Sequence, residues 1–195
     1  MASYPAIAAM SDAVLGLLRT ASIGGEFDGA EFAHYGSANF QSPMSLGVSL
    51  YLYRLTVSST RNLGWRVAVD GTRYRPPLPL DAHFLVTAWA ADPIRQQRLL
   101  GLAIRTIEDT PILPSGILNQ HAPEPDVFRP EETVELIFEN VSTQDQSYIW
   151  EVAPTKEQPS ATYVARMIEI DSTVAADVVK AVDTRQFDLS PAVKR

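Results

Sequence analysis

The sequence predicts an α+β fold: one domain on a single mixed or antiparallel sheet, with two or three helices and long proline-rich loops. Three observations predict it. Apolar residues alternate with period two at 46–58, 82–90, 133–140 and 161–170, the spacing of strands, while 5–20 and 93–109 carry them at helical spacing. The helical stretches interrupt the strands in no strict βαβ order, which argues against a doubly wound parallel sheet. A chain of 195 residues with 46% apolar content can bury one substantial core, placed here at 1–171, with 172–195 as a C-terminal tail or arm.

Each element follows from local chemistry. Ile7, Met10, Val14, Leu17 and Leu18 mark an amphipathic helix over 5–20, entered through Ser3 and Pro5 and ended by Gly24-Gly25. Residues 24–43 are rich in Gly, Ser, Asn and Asp and read as a loop holding at most a short strand near 32–35. The run 46–58 places Val48, Leu50 and Leu52 on one face and Tyr51, Tyr53, Leu55 and Val57 on the other, which predicts a central strand covered on both sides. Trp65, Val67 and Val69, then Asp70-Gly71 and 72–75, read as a short hairpin. The prolines of 75–81 cannot donate to a ladder, so this stretch is expected to be an extended lead into a strand over 82–90.

Asp92-Pro93 is a cap followed by a proline suited to the first turn, opening a helix over 93–109. Five prolines in residues 110–130 predict an ordered but irregular loop. A strand follows at 133–140, and Ser142 with Asp145 resembles a capping box for a short helix through Trp150. The run 161–170 predicts a long strand with Thr162, Val164, Arg166, Ile168 and Ile170 on one face. In the tail, Val174, Val178 and Val182 have helical spacing and the rest reads as extended and polar. The tryptophans Trp65, Trp89 and Trp150 are expected in the core or at its edge.

Composition narrows the function. A net charge of −7 without Lys/Arg runs argues against nucleic acid, which demands a concentrated cationic surface. Zero cysteines exclude a disulfide framework, a thiolate metal site and a cysteine nucleophile. The N-terminus lacks the basic flank of a signal peptide, and no apolar run approaches the roughly 20 residues of a membrane-spanning helix, so no membrane insertion is expected. His34, His83 and His121 show no metal-ligand spacing, and no nucleophile elbow, dinucleotide loop or phosphate loop is present. Asp81-x-His83 is the nearest approach to a catalytic or metal pair, because the two share a strand face. A strand-entry Asp bonding backbone and a partly buried structural His are the better explanation. No cofactor is expected. Arg73-x-x-Pro76-x-x-Pro79 formally matches a polyproline ligand, but rigid entry into a strand accounts for it.

Several strings in order carry a family resemblance: Leu50-Tyr51-Leu52-Tyr53-Arg54, Arg61-Asn62, and Arg75-Pro76-Pro77-Leu78-Pro79-Leu80-Asp81-x-His83-Phe84-Leu85-Val86-Thr87-Ala88. Leu99-Leu100-Gly101 and the segments 142–150 and 159–163 complete them, so the likeness spans about residues 5–171. Together they resemble the cap, or tail-terminator, proteins of extracellular contractile injection systems of the antifeeding-prophage and Photorhabdus-virulence-cassette type. The resemblance implies a structural protein without enzymatic activity. It would form a hexameric ring on the last layer of inner tube protein and sheath protein, stopping polymerisation and fixing particle length. It also implies assembly in the cytoplasm, on a particle that can be released. A closed ring needs two unlike sticky surfaces on each copy. Arg54, Arg61, Arg73 and Arg75 are the expected contact arginines, since Arg is enriched at interfaces. The tail, with Val178, Val179, Arg185 and Phe187, is expected to reach a neighbour as a strand. The alternatives are another adaptor of the same particle, at the baseplate, or a small hydrolase or metalloenzyme using Asp81 and His83.

Overall fold

The computed structural model describes residues 4–59, 64–68, 70–122, 124–151 and 157–175. In chain order the elements are α1 (Ala6–Ser22), β1 (Glu31–His34), a 3-10 turn (Ser37–Gln41), β2 (Leu46–Val57), β3 (Arg66–Val67), β4 (Arg73–Tyr74), β5 (Leu78–Ala90), α2 (Pro93–Asp109), β6 (Ile112–Pro114), α3 (Ser115–Gln120), β7 (Thr133–Phe138), α4 (Thr143–Glu151) and β8 (Ser160–Ile170). Six strands form one mixed sheet in the order β1-β2-β5-β8-β7-β6, and β3 with β4 forms a separate ribbon. Only β1–β2 is parallel; the other ladders run antiparallel. This is the α+β sheet the sequence predicts, with four helices among the described residues.

β5 is the centre because it is apolar on both faces. Ala82, Phe84, Val86 and Ala88 pack beneath α1 and α2, together with Val48, Leu50, Tyr163 and Ala165. The helices offer matching stripes: Met10, Val14 and Leu18 from α1, and Leu99, Ala103 and Ile107 from α2. On the opposite face Leu85 and Trp89 join Tyr35, Phe40 and Trp150 in an aromatic layer supplied by the 3-10 turn and α4. Phe40 sits at its middle, edge-on to Tyr35, Tyr51 and Trp150 with ring centroids at 5.3, 5.3 and 5.5 Å. The expected placement of Trp89 and Trp150 holds, each being 5% exposed. Trp65 is a correction: it is 57% exposed on β3's flank.

Local signals set the boundaries where they are strong. Asp92 accepts from the Arg95 N–H at 2.7 Å and Pro93 opens α2, so that helix spans the expected residues. Ser142 Oγ accepts from the Asp145 N–H at 3.1 Å and opens α4. The Asp70-Gly71 turn closes the β3–β4 hairpin, and Gly71 takes φ +83, which disfavours any residue with a Cβ. Gly47 is required for another reason: a Cβ there would lie 2.0 Å from the Glu31 carbonyl oxygen, so glycine lets β1 close on β2.

Four expectations are corrected. The stretch 110–130 holds β6 and α3, because no proline falls between Pro114 and Pro123. β5 begins at Leu78, so Pro79 lies within the strand; its carbonyl accepts from the Ser58 N–H at 3.0 Å. β2 is bulged between Leu52 and Arg54, which returns Leu55 and Val57 to the face of Leu50 and Leu52. Both are only half covered, at 43% and 47% exposed, and β1 pairs β2 no further than Leu50. β8 carries an extra residue between Ala165 and Ile168, with Met167 at φ +68. Ile168 and Ile170 therefore join Tyr163 on the helix side and part from Thr162, Val164 and Arg166.

Removing the centre of the aromatic layer should expose its dependence on one ring. Phe40→Ala is expected to cost about 3–5 kcal/mol, the usual range for emptying a buried aromatic site. Urea unfolding monitored by circular dichroism measures it, and a loss below about 1 kcal/mol would show that the layer closes without Phe40.

Candidate assembly surfaces

Asp81 and His83 share a face of β5, but no hydrogen bond joins them among the described residues. His83 is 6% exposed, and its Nδ1 lies 2.9 Å from Glu139 Oε2, while Nε2 lies 3.0 Å from Thr56 Oγ1 and 3.3 Å from Arg54 Nη2. Arg54 Nη2 lies almost as near to Nδ1, at 3.4 Å, so Glu139 and Thr56 are the partners that hold one ring nitrogen each. Tyr53 Oη donates to the same Glu139 Oε2 at 3.0 Å, and burial beside that carboxylate pushes the Tyr53 phenol well above its ordinary value. Every polar atom of the imidazole is thus spent on internal bonds. Asp81 Oδ1 is buried without a hydrogen-bond partner. Among the described residues no group of three or more His, Cys, Asp or Glu side chains is placed to hold a metal. His34 lies far off, with Nε2 2.7 Å from Asp12 Oδ1, and the His121 ring packs over Gly16 of α1.

The arginines expected to make contacts divide into three groups. Arg54 is half exposed beside the His83–Glu139 pair, its Nη2 3.9 Å from Glu139 Oε1. It borders a groove of about 520 Å³ between β2 and α4 lined also by Tyr51, Tyr53 and Tyr148. Arg73 and Arg75 are exposed on or beside β4, and no ion pair engages either among the described residues. Arg61, Val178, Val179, Arg185 and Phe187 lie outside the described residues.

The residue that sequence reasoning missed is Arg66. From β3 its guanidinium reaches Glu169 at the end of β8, Asp171 (Nε–Oδ1 2.8 Å) and Glu132 ahead of β7 (3.5 Å). Arg129 bonds Asp171 and lies 3.9 Å from Glu132. Two arginines and three carboxylates, all poorly exposed, fasten the ribbon to the sheet. Burial raises all three carboxyls above their ordinary range; Arg129 opposes this in each, without reversing it. The chain then runs beside the ribbon: Arg75 N–H donates to the Val174 carbonyl at 3.2 Å, and Tyr74 bridges Ala175 antiparallel. This is the part of the tail that is described, and it is extended rather than helical. A cleft of about 570 Å³ opens beside the cluster, bordered by Arg66, Arg75, Arg129 and Glu131.

No helix among the described residues is long and apolar enough to cross a membrane. No curated protein matches the chain. The model of the family described as the Pvc16 N-terminal domain matches residues 11–184. Among solved structures, the chain is similar to the sheath/tube terminator of PVC, an extracellular contractile injection system, in its extended state. The TM-score there is 0.59 at 14% identity, covering 96% of this chain and 65% of that one. It is also similar to the tube-terminating cap of the anti-feeding prophage, with TM-score 0.55 at 12% identity, covering 93% of this chain and 61% of that one. The chain therefore spans less than two thirds of either protein's length. At these identities the likeness is one of fold.

The ion cluster makes two predictions. A carboxyl whose folded pKa is raised binds its proton more tightly when folded, so stability falls as pH rises through that raised value. Glu132→Gln keeps an amide oxygen to accept from the Arg129 N–H and removes the charge. It should melt higher than the wild type at pH 7, with the gap closing toward about pH 4, where ordinary carboxyls protonate. A lower melting temperature at pH 7 would show that the charge is net stabilising. Arg66→Ala leaves the three carboxylates with one arginine and should cost about 2–3 kcal/mol in urea unfolding, below the penalty for a fully buried pair because Arg66 is partly exposed.

Proposed function

Because the chain belongs to the Pvc16 N-terminal domain family, we propose that it is a structural cap that terminates the inner tube and sheath of a contractile injection particle and fixes its length. The observation that carries this reading is a fold shared over nearly the whole chain with two proteins that terminate such tubes. The working form is a ring, with six copies. Its partners are the inner tube protein and the sheath protein, which it meets in the cytoplasm before the particle is released.

The physical layout supports such a role. A closed ring is built from a heterologous contact, so one copy must present two unlike surfaces. The arginine-bearing ribbon leaves the sheet at the Val57, Leu78 and Ile170 end, while β1 edges it at the Leu46 and Ala90 end. The reading is non-enzymatic: His83 is committed to Glu139 and Thr56, and no hydrogen bond joins it to Asp81 among the described residues.

Deletion of the gene should yield particles whose tubes run past their normal length and vary widely, seen by negative-stain electron microscopy. Supplying the protein in trans should restore one length, with labelled protein at the tube end. Particles of normal, uniform length in the deletion strain would overturn the cap reading; label at the baseplate would favour an adaptor instead.

A further inference from the structure

The β3–β4 ribbon shows solvent the one exposed tryptophan among the described residues, beside exposed arginines. Trp65 and Val67 are 57% and 62% exposed, Arg73 lies directly across from Val67, and Arg75 follows two residues on. Tryptophan and arginine together are the side chains most often found at the energetic centres of protein contacts. The platform beneath them is fixed, since Arg66 and Tyr74 tie the ribbon's strands to the ion cluster and to Ala175. Exposure of Trp65 is therefore a held geometry, and the two unpaired arginines stand out in a chain of net charge −7.

A complementary surface lies at the diagonally opposite corner of the sheet. Between α1 and β1, Ile23 is 71% exposed and is followed by Glu26, Asp28 and Glu31, all exposed. Three arginines lie nearby: Arg98 pairs with Glu26, Arg19 donates to the Phe32 carbonyl, and Arg95 lies over the Phe27 ring, 6.0 Å from its centroid. Asp28 and Glu31 remain without an ion pair among the described residues. This corner adjoins the Gly47 end of β2, whereas the ribbon leaves the other end. One corner presents Trp65 and Val67 with two arginines, the other presents Ile23 with the carboxylates of Asp28 and Glu31, and the two surfaces are unlike.

We propose that the ribbon of one copy seats on the Ile23 corner of a second copy, with Trp65 and Val67 against Ile23 and Arg73 and Arg75 facing Asp28 and Glu31. This rests on the ring reading above and specifies its contact. Head-to-tail joining of unlike corners is what a closed ring requires, and a contact steered by opposite charge weakens as salt screens it.

The test is self-association of the full chain by sedimentation velocity at low and high salt. Arg73→Glu with Arg75→Glu should raise the association midpoint at least about tenfold, and so should Asp28→Arg with Glu31→Arg. Combining all four in one chain should restore association, which a merely misfolded surface would not do; melting curves confirm that each variant folds. Trp65→Ala should weaken association at either salt. Wild-type association with the reversed variants, no recovery in the combined variant, or a wild-type chain that stays monomeric at every attainable concentration would each overturn the proposal. So would a chain truncated after Ala175 in which Trp65 becomes markedly more open to acrylamide quenching, since the tail of the same copy would then be its cover. Overlong tubes in the deletion strain alongside unaltered association of the variants would leave the cap reading standing and remove only this contact.

Discussion

Two inserted residues, one on each side of β5 and at nearly the same height, govern the shape of this domain. β2 gains its residue opposite Phe84 and His83, and β8 gains its own opposite Ala82 and Leu80. A bulge bends and over-twists its strand and exchanges the two faces beyond it. Above the bulges the sheet is sandwiched between helices and aromatic rings. Below them Leu55, Val57 and Leu78 lie on the helix side yet stay half open. The exchange in β8 also sends Glu169 and Asp171 to the face away from Ile168 and Ile170, where Arg66 and Arg129 meet them. Without Met167 in its left-handed conformation Glu169 and Asp171 would point at the helix layer, and Arg66 would lose two of its three carboxylate partners.

Much of the fold could be read from periodicity and caps. α2 was legible to the residue because Asp92, Pro93 and a stripe of Leu99, Ala103 and Ile107 all agree. The bulges were missed, although in β8 the spacing of three between Arg166 and Glu169 breaks the period of two; the apolar residues on either side fit both phases and masked it. α3 was hidden by counting prolines across 110–130 rather than locating them, since the proline-free stretch after Pro114 is long enough for a short helix.

The site was legible in part and for a physical reason. The exposure of Arg73 and Arg75 was legible from their place just after the Asp70-Gly71 turn of a hairpin. Trp65 was placed in the core because that is where the gain from burying an indole is greatest, and nothing local reveals a ribbon held apart from the sheet. Arg66 was invisible because Glu169 is 103 residues away. Asp81 and His83 do share a strand face as read, but His83 bonds Glu139 and Thr56, the ladder partner of Asp81, and these long-range partners could not be read from the local sequence.

The order of strands carries a consequence for how the chain is made. β5 joins β2, which precedes it, and β8, which is the last strand of the sheet to be synthesised. From the time residue 90 leaves the ribosome until residue 160 follows, the middle strand keeps an open flank lined with Phe84, Leu85 and Val86. At translation rates of about 5–20 residues per second that interval lasts roughly 4–14 s. For those seconds the nascent chain displays an adhesive edge that only a chaperone or rapid onward synthesis can shield, and a slow codon placed in that interval would lengthen the hazard.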